Sequence, residues 1–435
     1  MIRIFLFILF GFPFAVLSQQ WRDLNGGVDG SVHAMYVDSV TNKLYVAGNF
    51  QHAGSLFTSC VAVWDSLQWS GLGNDTIKGL SDVRCIVEFN GDVIIGGFFD
   101  SIGMVRMNNI SRWDGTSWNP MGPGFSDAVI SLHEYKGELY AGGSFLYSGN
   151  DTIKHVAKWN GTGWVNLPGG LNFDYDVATF INYDSLLILG GYFNYFPSIP
   201  NSSKLIGFDG QDWISLNSTF NGFVLALELF DDTLYAAGEF TAYPNAPSNF
   251  ISKFDGHDWQ SMPYPTGGTN WITDMAVFQN RLVVVGYFTN PEDIGIFNGV
   301  TYDSIGEAFG SVFRCSVYKN ELYFAGGFNQ IGNINTFSIA RYSDHIQNST
   351  SGIDVNEYIQ IYPNPITNNF FHLQSNISNP ETLNITAWNV FGQEVSLTQK
   401  NGAYYFEKPA QGIYFIKIFN KEKVLKTSPV LIIKS

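Results

Sequence analysis

The chain has 435 residues, of which 45% are apolar, 16% aromatic and only 14% charged, and it contains 45 glycines. A chain this long builds sizeable cores without metals or disulfides, and abundant aromatics among abundant glycines describe short strands joined by tight turns. A net charge of −15 argues against nucleic acid as a partner, because a binder must neutralise phosphates with Lys and Arg, and against docking on anionic lipid.

Residues 1–18 hold Arg3 and an apolar run from Ile4 to Leu17 that is broken by Gly11 and Pro13. A membrane span needs about 20 apolar residues, so this run is expected to be a signal peptide cleaved near Ser18, leaving no transmembrane span in the mature protein. Cys60, Cys85 and Cys315 are an odd number without C-x-x-C spacing. They are expected to be small buried hydrophobes rather than a disulfide framework.

From residue 19 one unit recurs seven times. Its core is an apolar strand ending in glycine, as in Leu44-Tyr45-Val46-Ala47-Gly48 and Leu139-Tyr140-Ala141-Gly142-Gly143. The glycines Gly48, Gly97, Gly143, Gly191, Gly238, Gly286 and Gly326 are separated by 49, 46, 48, 47, 48 and 40 residues, a period that suits four short strands. Eleven residues before each glycine lies an apolar position (Ile86, Leu132, Phe180, Leu227, Met275, Cys315), with Met35 filling it in the first unit after a two-residue insertion. This marks the innermost strand. Past the glycine come an aromatic with Asp or Asn (Trp64-Asp65, Trp113-Asp114, Trp159-Asn160, Phe208-Asp209, Phe254-Asp255, Phe297-Asn298) and then a second aromatic, Trp69, Trp118, Trp164, Trp213, Trp259 or Tyr302. The first set is expected to pack between sheets, and the Asp-Gly pairs to form hairpin turns. The seventh unit stops at Tyr342-Ser343-Asp344 without its outer Trp, whereas Trp21-x-x-Leu24 at the other end matches Trp69-x-x-Leu72. Lending the N-terminal strand to the last unit closes a ring and leaves no free edge.

Strands of the Tyr-x-Gly-Gly type followed by aromatic-Asp-x-x-x-Trp are similar to kelch repeats across residues 19–345. The resemblance implies an all-β, seven-bladed kelch-like β-propeller. Most blades lack the family's usual Arg before the inner strand.

Residues 346–357 read as a polar linker, and from 358 to 435 the pattern changes to separated alternating strands: Ile359 to Tyr362, Leu383 to Trp388, Gly412 to Phe419 and Val424 to Ile433. These describe a small C-terminal β-sandwich. Its charge is +3 against −19 for residues 19–358. The stretches Ile361-Tyr362-Pro363-Asn364-Pro365, Asn389 to Val395 with Gly392-Gln393, and Gly412-Ile413-Tyr414 resemble the type A sorting domain of type IX secretion substrates of the Bacteroidota. That resemblance implies passage through the periplasm and outer membrane by the type IX machinery, to the cell surface or beyond. The run Ser428-Pro429-Val430 interrupts the last strand pattern.

The seven histidines are scattered with no H-x-H or H-E-x-x-H spacing, and there is no G-x-S-x-G elbow or phosphate-cradling loop. No cofactor, metal site or catalytic constellation is therefore expected, and the chain reads as a non-catalytic extracellular binding or adhesion protein for a carbohydrate or protein ligand. The alternative is a secreted propeller enzyme, a glycoside hydrolase, lyase or oxidase acting on polysaccharide. Binding is expected on the face of the long loops, through Phe99, Tyr147, Asp151, Tyr195, Phe196, Tyr243 and Tyr287.

Overall fold

The computed structural model describes residues 20–343 save 74, 195, 242–249, 266–270 and 290–291, together with 359–362, 370–375, 383–389, 394–400, 403–407, 412–420 and 423–432. Every described element is a β-strand or a bridge. The chain divides into two compact units, Val16–Ile346 and Gln347–Ser435. No helix among the described residues is long and apolar enough to cross a membrane.

In the first unit the described strands make seven antiparallel sheets built on one plan and four smaller sheets of two or three short strands. Sheet 1 runs Ser31–Asp38, Lys43–Asn49, Val61–Trp64, Trp69–Gly71, each strand beside the next. The first strands of sheets 2 to 7 are Asp82–Phe89, Val129–Tyr135, Val177–Tyr183, Phe223–Phe230, Trp271–Phe278 and Ala308–Tyr318. Each first strand contacts that of the following sheet, and the seventh contacts the first. Sheet 7 takes its outer strand from the other end of the chain, for Gln20–Asp23 lies antiparallel to Ile339–Ser343 with Trp21 opposite Tyr342. The pairing expected from the missing Trp is therefore present.

Apolar side chains fill the space between each sheet and the next. Val61 and Val83 meet between sheets 1 and 2, and Leu44 and Val46 meet Tyr323 and Ala325 between sheets 1 and 7. Trp64 packs here at 2% exposure, and Trp113 and Trp159 join the neighbouring clusters, as repeated aromatics between sheets should. The three cysteines are buried and unpaired.

The outer Trp residues add a repeated polar link. Each indole Nε1–H donates to a backbone carbonyl of the preceding sheet's chain: Trp69 to Leu24 (2.6 Å), Trp118 to Leu72 (3.1 Å), Trp164 to Met121 (3.2 Å), Trp213 to Pro168 (2.9 Å), Trp259 to Leu216 (3.0 Å) and Trp21 to Ile305 (3.0 Å). Sheet 6 carries Tyr302 instead, whose buried hydroxyl has no partner among the described residues. In the outer hairpins Asp65, Asp114, Asn160, Asp209, Asp255 and Asn298 each accept the amides two and three residues on, which explains Asp or Asn at that position.

The recurring glycine is set by close backbone approach. A Cβ on Gly48, Gly97, Gly143, Gly191, Gly238, Gly286 or Gly326 would lie 1.9 to 2.2 Å from a carbonyl oxygen at the start of the adjacent first strand. That contact accompanies a β-bulge, since at the same point every first strand has one residue more than its partner.

The described residues of the second unit make two four-stranded antiparallel sheets, one with strands Ile359–Tyr362, Phe370–Ser375, Ala403–Phe406 and Leu397–Lys400, the other with Glu394–Val395, Leu383–Asn389, Gly412–Asn420 and Lys423–Ile432. Phe371 and Phe406 from one and Ala387, Tyr414 and Ile416 from the other share a core. The run at Pro429 does not end the last strand, contrary to the sequence pattern. Pro429 pairs with Phe415 in a strand at the sheet edge, where proline's missing donor is tolerated.

Two stability measurements test this account. Gly238→Ala should cost about 2 kcal/mol or more, because the added methyl meets backbone and not a flexible side chain, whereas Gly163→Ala, with nothing within 4 Å, should leave the denaturation midpoint nearly unchanged. Equal effects would refute the close-approach argument. Deleting residues 19–26 should lower the melting temperature sharply, and an unchanged transition would mean that the closing strand contributes nothing.

Candidate ligand-binding pocket

Seven first strands begin at one end of the unit, and the extra residue of each bulge lies near that beginning. Those residues are His33, Arg84, Ile130, Ala178, Leu225, Thr273 and Phe313. All seven line one pocket of about 560 Å³, together with Phe98, Ser144, Asp176, Tyr192, Trp271, Tyr287 and Arg314. A bulge re-aims a side chain out of the regular alternation, and here the same device operates in every sheet. Below it a cavity of about 240 Å³ shares Arg84, Ile130, Ala178, Leu225 and Arg314 and adds Asp274. Because the pocket sits where first strands begin and second strands end, it opens on the face of the longer loops, as topology predicts.

One side of the pocket is aromatic. Tyr287 lies edge-on to Trp271 (6.0 Å, 82°) and 6.2 Å from Phe313, which in turn lies 5.5 Å from His33. Trp271 is 37% exposed. Across the pocket Tyr192 packs on Phe223 at 4.3 Å.

The polar groups at the mouth bridge neighbouring sheets. His33 Nδ1 lies 2.6 Å from Asp82 Oδ1, and Arg84 Nε and Nη2 reach Asp82 Oδ2 at 2.7 and 2.6 Å. Burial alone would raise the Asp82 pKa, but its contacts with His33 and Arg84 outweigh this and hold it below the usual carboxylate range. Asp176 is likewise kept low against its burial, by His155 at 3.2 Å and by Ser144 Oγ–H, which donates to it at 2.8 Å. Deeper in the unit the order reverses. Burial pushes Asp274 up in spite of Arg314 and of the Cys315 amide that donates to it at 3.0 Å. Burial also raises Glu228, to about 7, with the charge of Asp274 adding to it. Among the described residues no three His, Cys, Asp or Glu side chains gather into a group that would hold a metal ion.

Of the described residues expected to bind ligand, the structure brings Tyr287 alone to the pocket. Phe99 and Phe196 are corrected: at 1% and 5% exposure they are core residues. Phe99 packs with Ile102 and Met107, and Phe196 lies 4.9 Å from Phe173, because these loops fold over their own aromatics. Tyr147 (48% exposed) and Asp151 occupy one short hairpin, Tyr147–Ser148 with Asp151–Thr152, and neither lines the pocket. Tyr195 and Tyr243 lie outside the described residues, as do Pro363, Asn364, Pro365, Gly392 and Gln393 of the tail motifs. Tyr362 and Gly412 lie in strands, and Tyr414 is buried at 6%. Sequence reasoning missed Arg84, Trp271, Phe313 and Arg314. A signal for two of them was present: the residue two before each inner apolar position is the bulged one, and it runs from His to Arg, Ile, Ala, Leu, Thr and Phe, whereas the strand-ending glycine stays the same.

Glu228 gives a pH test with a definite sign. Its carboxyl ionises near 4.5 when solvated and near 7 in the fold, so the fold favours the protonated form. Its stabilisation is complete below pH 4.5, is lost as pH rises towards 7, and does not change further above that. Glu228→Gln should therefore raise stability at alkaline pH, by on the order of 2 kcal/mol, with the gap to the parent closing below pH 4.5. Melting temperatures across that range would check it, and a gap independent of pH would overturn it.

Three comparisons bear on identity. No curated protein matches the chain. Among solved structures, a crystal structure of the computationally designed Ika8 protein aligns over 81% of this chain and 95% of that one, at 13% identity and a TM-score of 0.45. Residues 360–434 match the family described as the secretion system C-terminal sorting domain, so the chain ends in the address of an exported protein.

Proposed function

We propose that residues 19–345 form a seven-bladed, kelch-like propeller that binds a ligand without transforming it, delivered to the cell surface or beyond by the type IX secretion system of a member of the Bacteroidota. The convergence of seven bulged residues, one from each sheet, on a single pocket carries the binding reading. The propeller reading is supported by the cyclic succession of first strands and by the closing pair Trp21 and Tyr342. Binding is favoured over hydrolysis because the carboxylates at the mouth, Asp82 and Asp176, are already engaged by His33, Arg84, His155 and Ser144. A general acid or base needs a carboxyl free to exchange its proton at working pH. An exposed Trp beside Tyr and Phe presents apolar faces with polar edges, which suits a carbohydrate. The signal peptide at 1–18 and the sorting tail supply export, and the tail's reversed charge marks it as a part with a separate task.

The full chain probed on a glycan and protein array tests this directly. Trp271→Ala and Tyr287→Ala should each weaken the bound ligand by about 1–3 kcal/mol, the scale of a buried aromatic anchor, while Tyr147→Ala should not. Affinity lost with Tyr147→Ala alone would sink the pocket assignment, and release of reducing ends from a bound polysaccharide would sink the non-catalytic reading.

A further inference from the structure

Positive charge is scarce in this molecule, since residues 19–358 carry a net charge of −19 with seven arginines. Two of those seven, Arg84 and Arg314, line both the pocket and the cavity beneath it. Their bonding differs. Arg84 is held from one side by Asp82 through Nε and Nη2. Arg314 spends its bonded nitrogens on neutral carbonyls, Nε to His33 (2.8 Å) and Nη1 to Thr273 (3.1 Å) and Phe313 (3.3 Å). Among the described residues no carboxylate comes within 4.0 Å of it. Asp274, the acid that lines the cavity with it, is half-buried and shifted by burial towards its neutral form. At the equivalent place the other first strands carry Ala34, Cys85, Ser131, Thr179, Ala226 and Asp274, so the guanidinium is particular to sheet 7 and not a demand of the fold. Three backbone carbonyls from sheets 1, 6 and 7 fix its plane beside Phe313 and Trp271.

Resting on the binding reading above, we infer that the pocket recognises an acidic glycan, with a carboxylate or sulfate of the sugar held between Arg314 and Arg84 and the ring face against Trp271 and Tyr287. A guanidinium with donors still available forms charge-assisted, often bidentate bonds to such oxyanions. The aromatic wall beside it selects a sugar over an acidic peptide, because a pyranose offers a flat C–H face next to its charge. The acidic exterior sharpens the selection, since an extended polyanion is repelled everywhere except at this pocket.

Calorimetric titration of the full chain with oligogalacturonate, its neutral methyl ester, a sulfated chondroitin oligosaccharide, its desulfated form and an oligoglutamate separates the possibilities. At least one of the two acidic sugars is expected to bind, more weakly as salt rises, with its uncharged counterpart about tenfold or more weaker. Arg314→Gln and Trp271→Ala should each reduce that affinity by a similar factor. Arg314 also ties three carbonyls together, so Arg84→Gln, whose side chain bonds only Asp82, serves as the second variant, and melting temperatures confirm that both fold. Binding of a neutral sugar that depends on Trp271 but is unchanged in both arginine variants would overturn the acidic assignment and leave the pocket reading standing. Binding of oligoglutamate alone, unaffected by Trp271→Ala, would overturn the glycan. No binding by any of the five would remove both readings.

Discussion

The structure depends on the approach of two backbones, where the second strand of each sheet passes so close to the carbonyl at the head of the first that no Cβ fits. Glycine is the only residue that permits it. The approach is inseparable from the bulge beside it, for the extra residue in the first strand is what throws that carbonyl against the glycine. From this follows the turning of one side chain per sheet towards one pocket. A feature that looks in sequence like a strand terminator is the device that makes the pocket.

The second requirement is that each sheet be tied to the last. Apolar burial supplies most of the adhesion, but it is non-directional and does not by itself fix the angle between sheets. The outer indoles do, since each places one donor on one carbonyl of the preceding chain segment, and a buried N–H left unpaired would be costly. Trp21 and Trp69 carry this bond across the join between the two ends of the first unit, so the same side chain that seals the interior interfaces also seals the closure. Sheet 6 breaks the rule with Tyr302, whose hydroxyl is buried without a partner among the described residues, and it is also the sheet whose run from glycine to aromatic is shortest.

Legibility followed periodicity. The strands, the hairpins at Asp-Gly, the inter-sheet aromatics and the pairing of Trp21 with Tyr342 were readable because each repeats at fixed offsets and each has a local chemical cause. The pocket was not, because a bulge is a shift of register between two strands, and a single strand's residue types do not display it. Exposure in the loops was misjudged for a related reason. Phe99 and Phe196 follow polar turns and read as surface aromatics, but the loop cores that bury them come from residues such as Met107 and Phe173, whose proximity only the fold reveals. Tyr287, expected at the rim lowered by the short sixth unit, lies in the second strand immediately after the glycine and lines the pocket.

The division between uniform and variable positions now has a physical meaning. Positions that meet backbone, such as Gly238, or that donate to backbone, such as Trp213, are constrained by geometry that every sheet shares, so they repeat. The bulged position faces the pocket in every sheet, and no contact common to all seven fixes its residue type. His33, Arg84, Leu225 and Phe313 therefore differ from sheet to sheet, the polar ones making local bonds such as those of His33 and Arg84 to Asp82. Seven such positions form a surface whose chemistry can be altered one sheet at a time while the packing between sheets stays as it is. The placement of Arg314 one residue past a bulge, where its neighbours are mostly small, fits that logic: the protein has put a long cation at a point where the fold asks for nothing, and the carbonyls of three sheets hold it there.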